Sequence, residues 1–188
     1  VAARQGTGVP DTLLLLEHEA VITLGRHADP AGVLAGPEAL AAAGIGLHRV
    51  ERGGEATYHG PGQVVGYPIL ELKARGLGVR RYVAALEETM VRAAAAFGVE
   101  ARPLAGRPGV YTSRGKLGAV GVAVSRGVTF HGLAFNVCPD LSHFRFIVPC
   151  GQTDIPPTAL AQHLPEPPTV EEAADALVQA FREVFKGA

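Results

Sequence analysis

The sequence predicts an α+β fold built on a largely antiparallel sheet. Three observations point there. Strand-like runs outnumber helical ones, and most of them lie next to one another along the chain. Three of these runs, between residues 109 and 137, form an apparent meander joined by two short Ser-Arg-Gly connections. Long helical periodicity occurs only twice, at 79–97 and 170–185, whereas a doubly wound parallel sheet would alternate strand and helix throughout.

Taken in order, Thr12–Glu17 and Val21–Leu24 read as buried strands, since each is apolar and short. Pro37–Ala43 reads as a short helix ended by Gly44. Leu47–Val50 is a short strand, Arg52–Gly62 a glycine-rich loop, and Gln63–Leu72 a strand again. Val79, Tyr82, Val83, Leu86, Met90, Ala94 and Phe97 recur on one face of a helix that Gly98 closes. The meander comprises Gly109–Thr112, Lys116–Val124 and Val128–Val137. Its connections, Ser113–Gly115 and Ser125–Gly127, suit three-residue hairpin loops ending on a left-handed glycine. Thr169 and Glu172 form a capping-box pattern ahead of the helix Val170–Phe185.

Bulk properties narrow the class. A chain of 188 residues, 47% hydrophobic, suits one domain with one core, expected to span 1–188. A formal net charge of −1 argues against a nucleic-acid partner. No apolar run approaches the roughly 20 residues of a membrane helix, and Val1–Pro10 contains no signal-like apolar stretch. These features suit a cytoplasmic protein that is not membrane-bound. Cys138 and Cys150 are expected to be free thiols. The seven histidines show no zinc-like spacing, so no metal is expected.

Three segments contain residues suited to chemistry. Arg52-Gly53-Gly54-Glu55-Ala56-Thr57-Tyr58-His59-Gly60-Pro61-Gly62-Gln63 combines glycines, which let backbone approach a ligand, with a Tyr-His pair. It lacks the Gly-Lys-Ser/Thr of a phosphate loop, and a strand rather than a helix follows it. It reads either as a binding loop or as an ordinary turn. Cys150, between Pro149 and Gly151, sits on a bend; it is either a nucleophile or a small buried apolar residue. Lys116, one of three lysines, opens a strand of small residues, Gly118, Ala119, Gly121 and Ala123. It either holds a thiolate by charge or is a solvated residue after a hairpin. His59 and His131 are the alternatives as a base for the cysteine.

Four motifs together resemble the lipoyl(octanoyl) transferases. The segment Arg52–Gln63 is similar to that family's Arg-Gly-Gly-x-x-Thr-Tyr-His-Gly-Pro-Gly-Gln signature. Gly115–Val122 resembles its lysine strand, His131–Val137 its His-Gly-Leu-Ala-x-Asn-Val run, and Pro149–Gly151 its nucleophile. Glu19-Ala20 stands where the family usually shows two prolines. The resemblance implies a biotin/lipoate protein ligase-like fold. It also implies transfer of an octanoyl or lipoyl group from acyl carrier protein to a lysine of a lipoyl domain, through a thioester on Cys150 with Lys116 as partner. It implies that Arg52, Gly53, Gly54, Glu55, Ala56, Thr57, Tyr58 and His59, with Ala119, Val120, Gly121, Gly132, Leu133 and Ala134, line the acyl site. The implied partners are octanoyl acyl carrier protein, the apo lipoyl domains of 2-oxoacid dehydrogenase complexes and the glycine cleavage H protein. No ATP or other cofactor is expected. The alternatives are an ATP-dependent lipoate or biotin ligase of the same fold, a cysteine thioesterase and a non-catalytic acyl-binding module. Lys73, Arg75, Arg80 and Arg81 form a candidate basic patch for an acidic carrier.

Overall fold

The structure is a computed structural model and describes residues 10–148 and 154–186. Among the described residues nine strands form two sheets, and the architecture is α+β as expected. The strands are β1 (Thr12–Leu16), β2 (Val21–Leu24), β3 (Gly46–Arg49), β4 (Ala56–His59), β5 (Gln63–Ile69), β6 (Arg102–Leu104), β7 (Arg107–Thr112), β8 (Gly115–Ser125) and β9 (Val128–Asn136). The α-helices are α1 (Pro37–Ala42), α2 (Val79–Ala96) and α3 (Val170–Phe185). The larger sheet runs β1-β5-β9-β8-β7-β6 with every pair antiparallel. The smaller runs β3-β2-β4, with β2 parallel to β3 and antiparallel to β4.

Two cores follow from this. One face of the larger sheet packs on α2 and α3, where Tyr82, Leu86, Met90, Ala173 and Leu177 meet Val64, Leu117, Leu133 and Phe135. Val79, expected on this face, is 49% exposed, since it stands at the first turn of α2, before the helix meets the sheet. Truncating Leu86 or Met90, both fully buried, to alanine costs roughly 2–5 kcal/mol. The second core lies behind the smaller sheet. Ile22 and Leu24 of β2 and Ala56 and Tyr58 of β4 pack there against Leu40, Ile45, Phe144 and Ile147. The Thr169 hydroxyl accepts from the Glu172 amide and the Glu172 carboxylate accepts from the Thr169 amide, so the capping box forms at α3.

Three local expectations are corrected. The glycine-rich segment 52–62 contains a strand, β4, because its four residues between Glu55 and Gly60 are glycine-free and pair with β2. A further strand, β6, precedes the meander and pairs with β7 around a turn at Gly106, whose φ is +75°. Both Ser-Arg-Gly connections are two-residue turns. Thr112 pairs with Gly115, and Ser125 pairs with Val128. At the second turn Arg126 (φ 49°) and Gly127 (φ 84°) are both left-handed, which matches the right-handed twist of the flanking strands. Among the described residues no helix is long and apolar enough to cross a membrane.

Candidate active site

The two sheets present their remaining faces to each other. Strand alternation therefore sorts the residues of the smaller sheet. Ile22, Leu24, Ala56 and Tyr58 point into the second core, while Val21, Thr23, Thr57 and His59 line a cleft. The opposite wall comes from the larger sheet: Val65 and Tyr67 of β5, Ala119 and Gly121 of β8, and Gly132 and Ala134 of β9. The cleft holds about 690 Å³, within the roughly 300–1,000 Å³ usual for small-molecule sites.

Small residues make the larger sheet's wall hollow. A Cβ on Gly132 would stand 2.2 Å from the carbonyl oxygen of Gly66, and one on Gly121 would stand 2.9 Å from Cδ of Arg52. Arg52 itself is only 8% exposed. Its Nη2 donates to the carbonyl oxygen of Thr23 at 2.8 Å and to the Thr23 hydroxyl at 2.9 Å, and its Nη1 donates to the Gly53 carbonyl at 3.0 Å. The Gly53 amide in turn donates to the Val122 carbonyl at 2.8 Å. Arg52 thus joins the loop to β2, and Gly53 joins it to β8.

Two departures from regular strand geometry aim polar side chains at this region. Between β7 and β8, Tyr111 pairs with Lys116 but Val110 pairs with Gly118, so Leu117 is an extra residue in β8. This bulge shifts the alternation by one, and Lys116 then shares the face of Ala119 rather than that of Leu117. Lys116 and Ala119 line a small cavity of about 30 Å³ with Gln63, Asn136, Ile155 and Pro157, and Thr57, Ala119 and Ala134 line both cavities. The Lys116 ammonium lies 5.4 Å from the centre of the Tyr111 ring, an electrostatically favourable placement. The second departure is His131, whose φ is +58° in the middle of β9. Alternation would put it with Leu133 and Phe135 under the helices. Instead it lines the cleft, its ring 5.9 Å from that of Tyr67. A left-handed non-glycine costs of order 1 kcal/mol.

The electrostatics of the cleft favour neutral imidazoles. Burial, reinforced by Arg52 and the neighbouring histidines, lowers the pKa of His59 to about 4. Burial also lowers the pKa values of His18 and His131, the latter with help from Arg52. His18 Nε2 lies 2.7 Å from the Tyr67 hydroxyl.

Of the residues singled out in the sequence, the structure gathers Arg52, Gly53, Gly54, Glu55, Thr57, His59, Ala119, Val120, Gly121, Gly132, Leu133 and Ala134 around the cleft. Lys116 stands at its small annex. Ala56 and Tyr58 are not among them. They face the second core, where the Tyr58 hydroxyl lies 2.8 Å from Nδ1 of His143. Their positions in the motif alternate with Thr57 and His59, so one strand serves two faces. Cys150 lies outside the described residues. The flanking chain is placed: the Val148 amide donates to the Gly32 carbonyl, the Lys116 amide to the Pro156 carbonyl, and the Thr158 amide to the Lys116 carbonyl. Cys138 is exposed. Sequence reasoning missed Glu17, His18, Thr23, His48 and Tyr67 as lining residues. Tyr67 was findable, since it stands two and four residues from Val65 and Gln63 on one face of β5. In the basic patch, Arg75 is engaged by Asp11 at 2.6 Å and by the Phe185 carbonyl, so it tethers the chain start to α3.

Comparison with known proteins fits this geometry. The profile of the lipoyl protein ligase A/B catalytic domain matches residues 1–182. A protein of Chloroflexus aurantiacus named octanoyltransferase is 49% identical over 189 residues, covering 98% of this chain and 85% of that one. An octanoyltransferase of Acidobacterium capsulatum is 46% identical over 200 residues, covering 98% and 81%. In structure, the chain is similar to a bi-partite lipoate protein ligase from Thermoplasma acidophilum, solved in a study that included its E2 lipoyl domain. The TM-score is 0.77 over 95% of this chain and 72% of that one, at 19% identity, a likeness of fold. By the extent of these matches, the chain belongs to the lipoyl protein ligase A/B catalytic-domain family.

Proposed function

We propose that this chain is an octanoyltransferase of protein lipoylation, working through a thioester on Cys150 with Lys116 as its proton-sharing partner. Octanoyl transfer rests on relatives of that name at 46–49% identity over nearly the whole chain. The observation that carries the mechanism is the placement of Lys116. The bulge at Leu117 turns it to the face of the sheet that Ala119 presents to the cleft, and residues 155–158, which follow the Cys150 segment, are joined to it by two backbone hydrogen bonds and a shared cavity.

The chemistry follows from these groups. The Lys116 ammonium stabilises the Cys150 thiolate by its charge. The thiolate attacks the octanoyl thioester carbonyl of the carrier's phosphopantetheine arm. The carbon–sulfur bond to the carrier breaks, and the carrier thiol leaves with a proton from Lys116. The lysine of an apo lipoyl domain or of the glycine cleavage H protein then attacks the acyl-enzyme. Before that attack the now neutral Lys116 takes the acceptor's ammonium proton, and as Cys150 leaves as thiolate the second amine proton passes to solvent. Thioester to amide is downhill, so the sequence of steps needs no ATP. The hollow wall of Ala119, Gly121, Gly132 and Ala134 suits an unbranched acyl chain.

Intact-mass measurement after mixing the protein with octanoyl acyl carrier protein tests this. One octanoyl adduct is expected, released by hydroxylamine, absent in Cys150→Ser and retained in Cys138→Ser. An adduct on Cys138, or transfer that proceeds undiminished in Cys150→Ser, overturns the mechanism.

A further inference from the structure

His59 is the buried histidine of the cleft wall, 8% exposed. Its Nδ1 lies 2.7 Å from Oε1 of Gln63. Gln63 Nε2 donates to Oδ1 of Asn136 at 2.8 Å, and Asn136 Nδ2 donates to the carbonyl oxygen of Thr158 at 2.9 Å. The direction of this chain is set from its far end. A backbone carbonyl only accepts, so Asn136 must turn its NH₂ toward Thr158 and its oxygen toward Gln63. Gln63 must then turn its NH₂ toward Asn136 and its oxygen toward His59. The Tyr58 carbonyl, 3.5 Å from Gln63 Nε2, agrees with that orientation. Nδ1 of His59 must therefore carry the proton.

This leaves Nε2 as an unprotonated acceptor. It makes no hydrogen bond among the described residues, and the ring lines the cleft. Burial keeps the ring neutral, and the groups that face it, Arg52, His18 and His131, oppose its protonation further. The wall thus offers the cleft an acceptor whose position is fixed by the relay. An acyl chain and its carbonyl have nothing to donate to it. An amine has.

We propose that His59 Nε2 accepts a hydrogen bond from the attacking lysine amine and turns the amine's lone pair toward the acyl carbon, with Gln63 and Asn136 as positioning residues that fix the His59 tautomer. The inference rests on the acyl-transfer reading above. His59 takes no proton in this role, being too weakly basic, so proton removal stays with Lys116. The same relay ends at Thr158, whose amide donates to the Lys116 carbonyl at 2.9 Å. The amine's acceptor and the amine's base are therefore braced by one short segment.

The tautomer is read without any activity, from ¹⁵N spectra of histidine-labelled protein at neutral pH. A protonated Nδ1 and a pyridine-like Nε2 at His59 are expected, whereas free histidine favours the proton on Nε2. A proton on Nε2 in the intact protein overturns the proposal, and this measurement stands even where variants fail to fold. In Gln63→Leu the preference should relax toward the solution tautomer. His59→Asn keeps a donor near the Nδ1 position and removes the Nε2 acceptor. It should slow transfer from acyl-enzyme to a lysine acceptor by roughly 10- to 100-fold more than it slows acylation. A larger loss in acylation by a pantetheine thioester than by an amide-free octanoyl thioester would assign the acceptor to the donor arm's amide instead, and would sink the lysine assignment. Absence of any acyl-enzyme in the unaltered protein would remove the acyl-transfer reading itself while leaving the tautomer result standing.

Discussion

Lys116 and Ala119 stand three residues apart on one strand and still share one face of the sheet. Regular alternation forbids this, since residues an odd number apart point to opposite faces. The extra residue Leu117 resolves it by entering the helix-side core while its successor Gly118 also faces Met90. The single bulge therefore buries an apolar side chain and turns a lysine to the opposite face at the same point of the strand.

Lys116→Ala is expected to slow octanoyl transfer by roughly 10²- to 10⁴-fold, the usual range for a general acid–base group. Loss of the nearby cation should also raise the pH at which Cys150 reacts with iodoacetamide. The pH profile of alkylation, read by mass spectrometry, checks this. An unchanged profile would remove Lys116 from the thiolate's surroundings.

Much of the fold was legible because burial writes a period into the sequence. Helices α2 and α3 and the strands around Ala119 and Leu133 could be read from apolar spacing and glycine stops. Strand β4 was not, because glycines at 53, 54, 60 and 62 hide four residues whose two faces are both buried. Cleft-lining residues such as Arg52, Thr57, Ala119 and Ala134 stood in legible motifs, but their directions were not legible. The bulge at Leu117 and the left-handed φ of His131 depend on partner strands distant in sequence. The relay from His59 through Gln63 and Asn136 spans 73 residues between its two amides, which no local pattern encodes.

Gly132→Ala and Gly121→Ala should differ in kind. At Gly132 the new methyl meets the Gly66 backbone oxygen at 2.2 Å, which can move only if β5 and β9 separate. A loss of stability of a few kcal/mol is expected, as for other overpacked sites. At Gly121 the methyl meets Cδ of Arg52 at 2.9 Å, part of a flexible side chain, with the Gly53 carbonyl at 3.2 Å. Gly121→Ala should lose less stability than Gly132→Ala, because Arg52 can yield at the expense of its bonds to Thr23 and Gly53, and octanoyl transfer should weaken as Arg52 shifts. Equal loss of stability in both variants would show that Arg52 is as immovable as backbone.

Arg52→Lys should behave as a loss, not a conservative change. The guanidinium reaches Thr23 and Gly53 at once through its fork, and an ammonium cannot reproduce that geometry. Destabilisation of about 1–3 kcal/mol is expected from buried acceptors left unpaired. Faster proteolysis within residues 52–55 should accompany it, because the loop loses its hold on β2. Urea titration and limited proteolysis check the two parts separately.

His59 should make the fold sensitive to acid in a defined window. Its folded pKa is about 4, below the 6.5 of an unburied histidine. Between these values the unfolded chain binds the proton and the folded chain does not, so stability rises with pH there. The contribution is fully present above about pH 6.5 and fades as pH falls toward 4. From pH 7 to pH 5 the loss amounts to about 2 kcal/mol for this residue alone. The lowered pKa values of His18 and His131 act in the same direction. Urea denaturation of the native protein and of His59→Asn at both pH values isolates the term. The variant keeps a neutral donor toward Gln63 but has nothing to protonate, so its stability should change less between pH 7 and pH 5, by about 2 kcal/mol. An equal change in both proteins would mean that the His59 site admits water and a proton freely, and that its neutrality in the cleft is not enforced by burial.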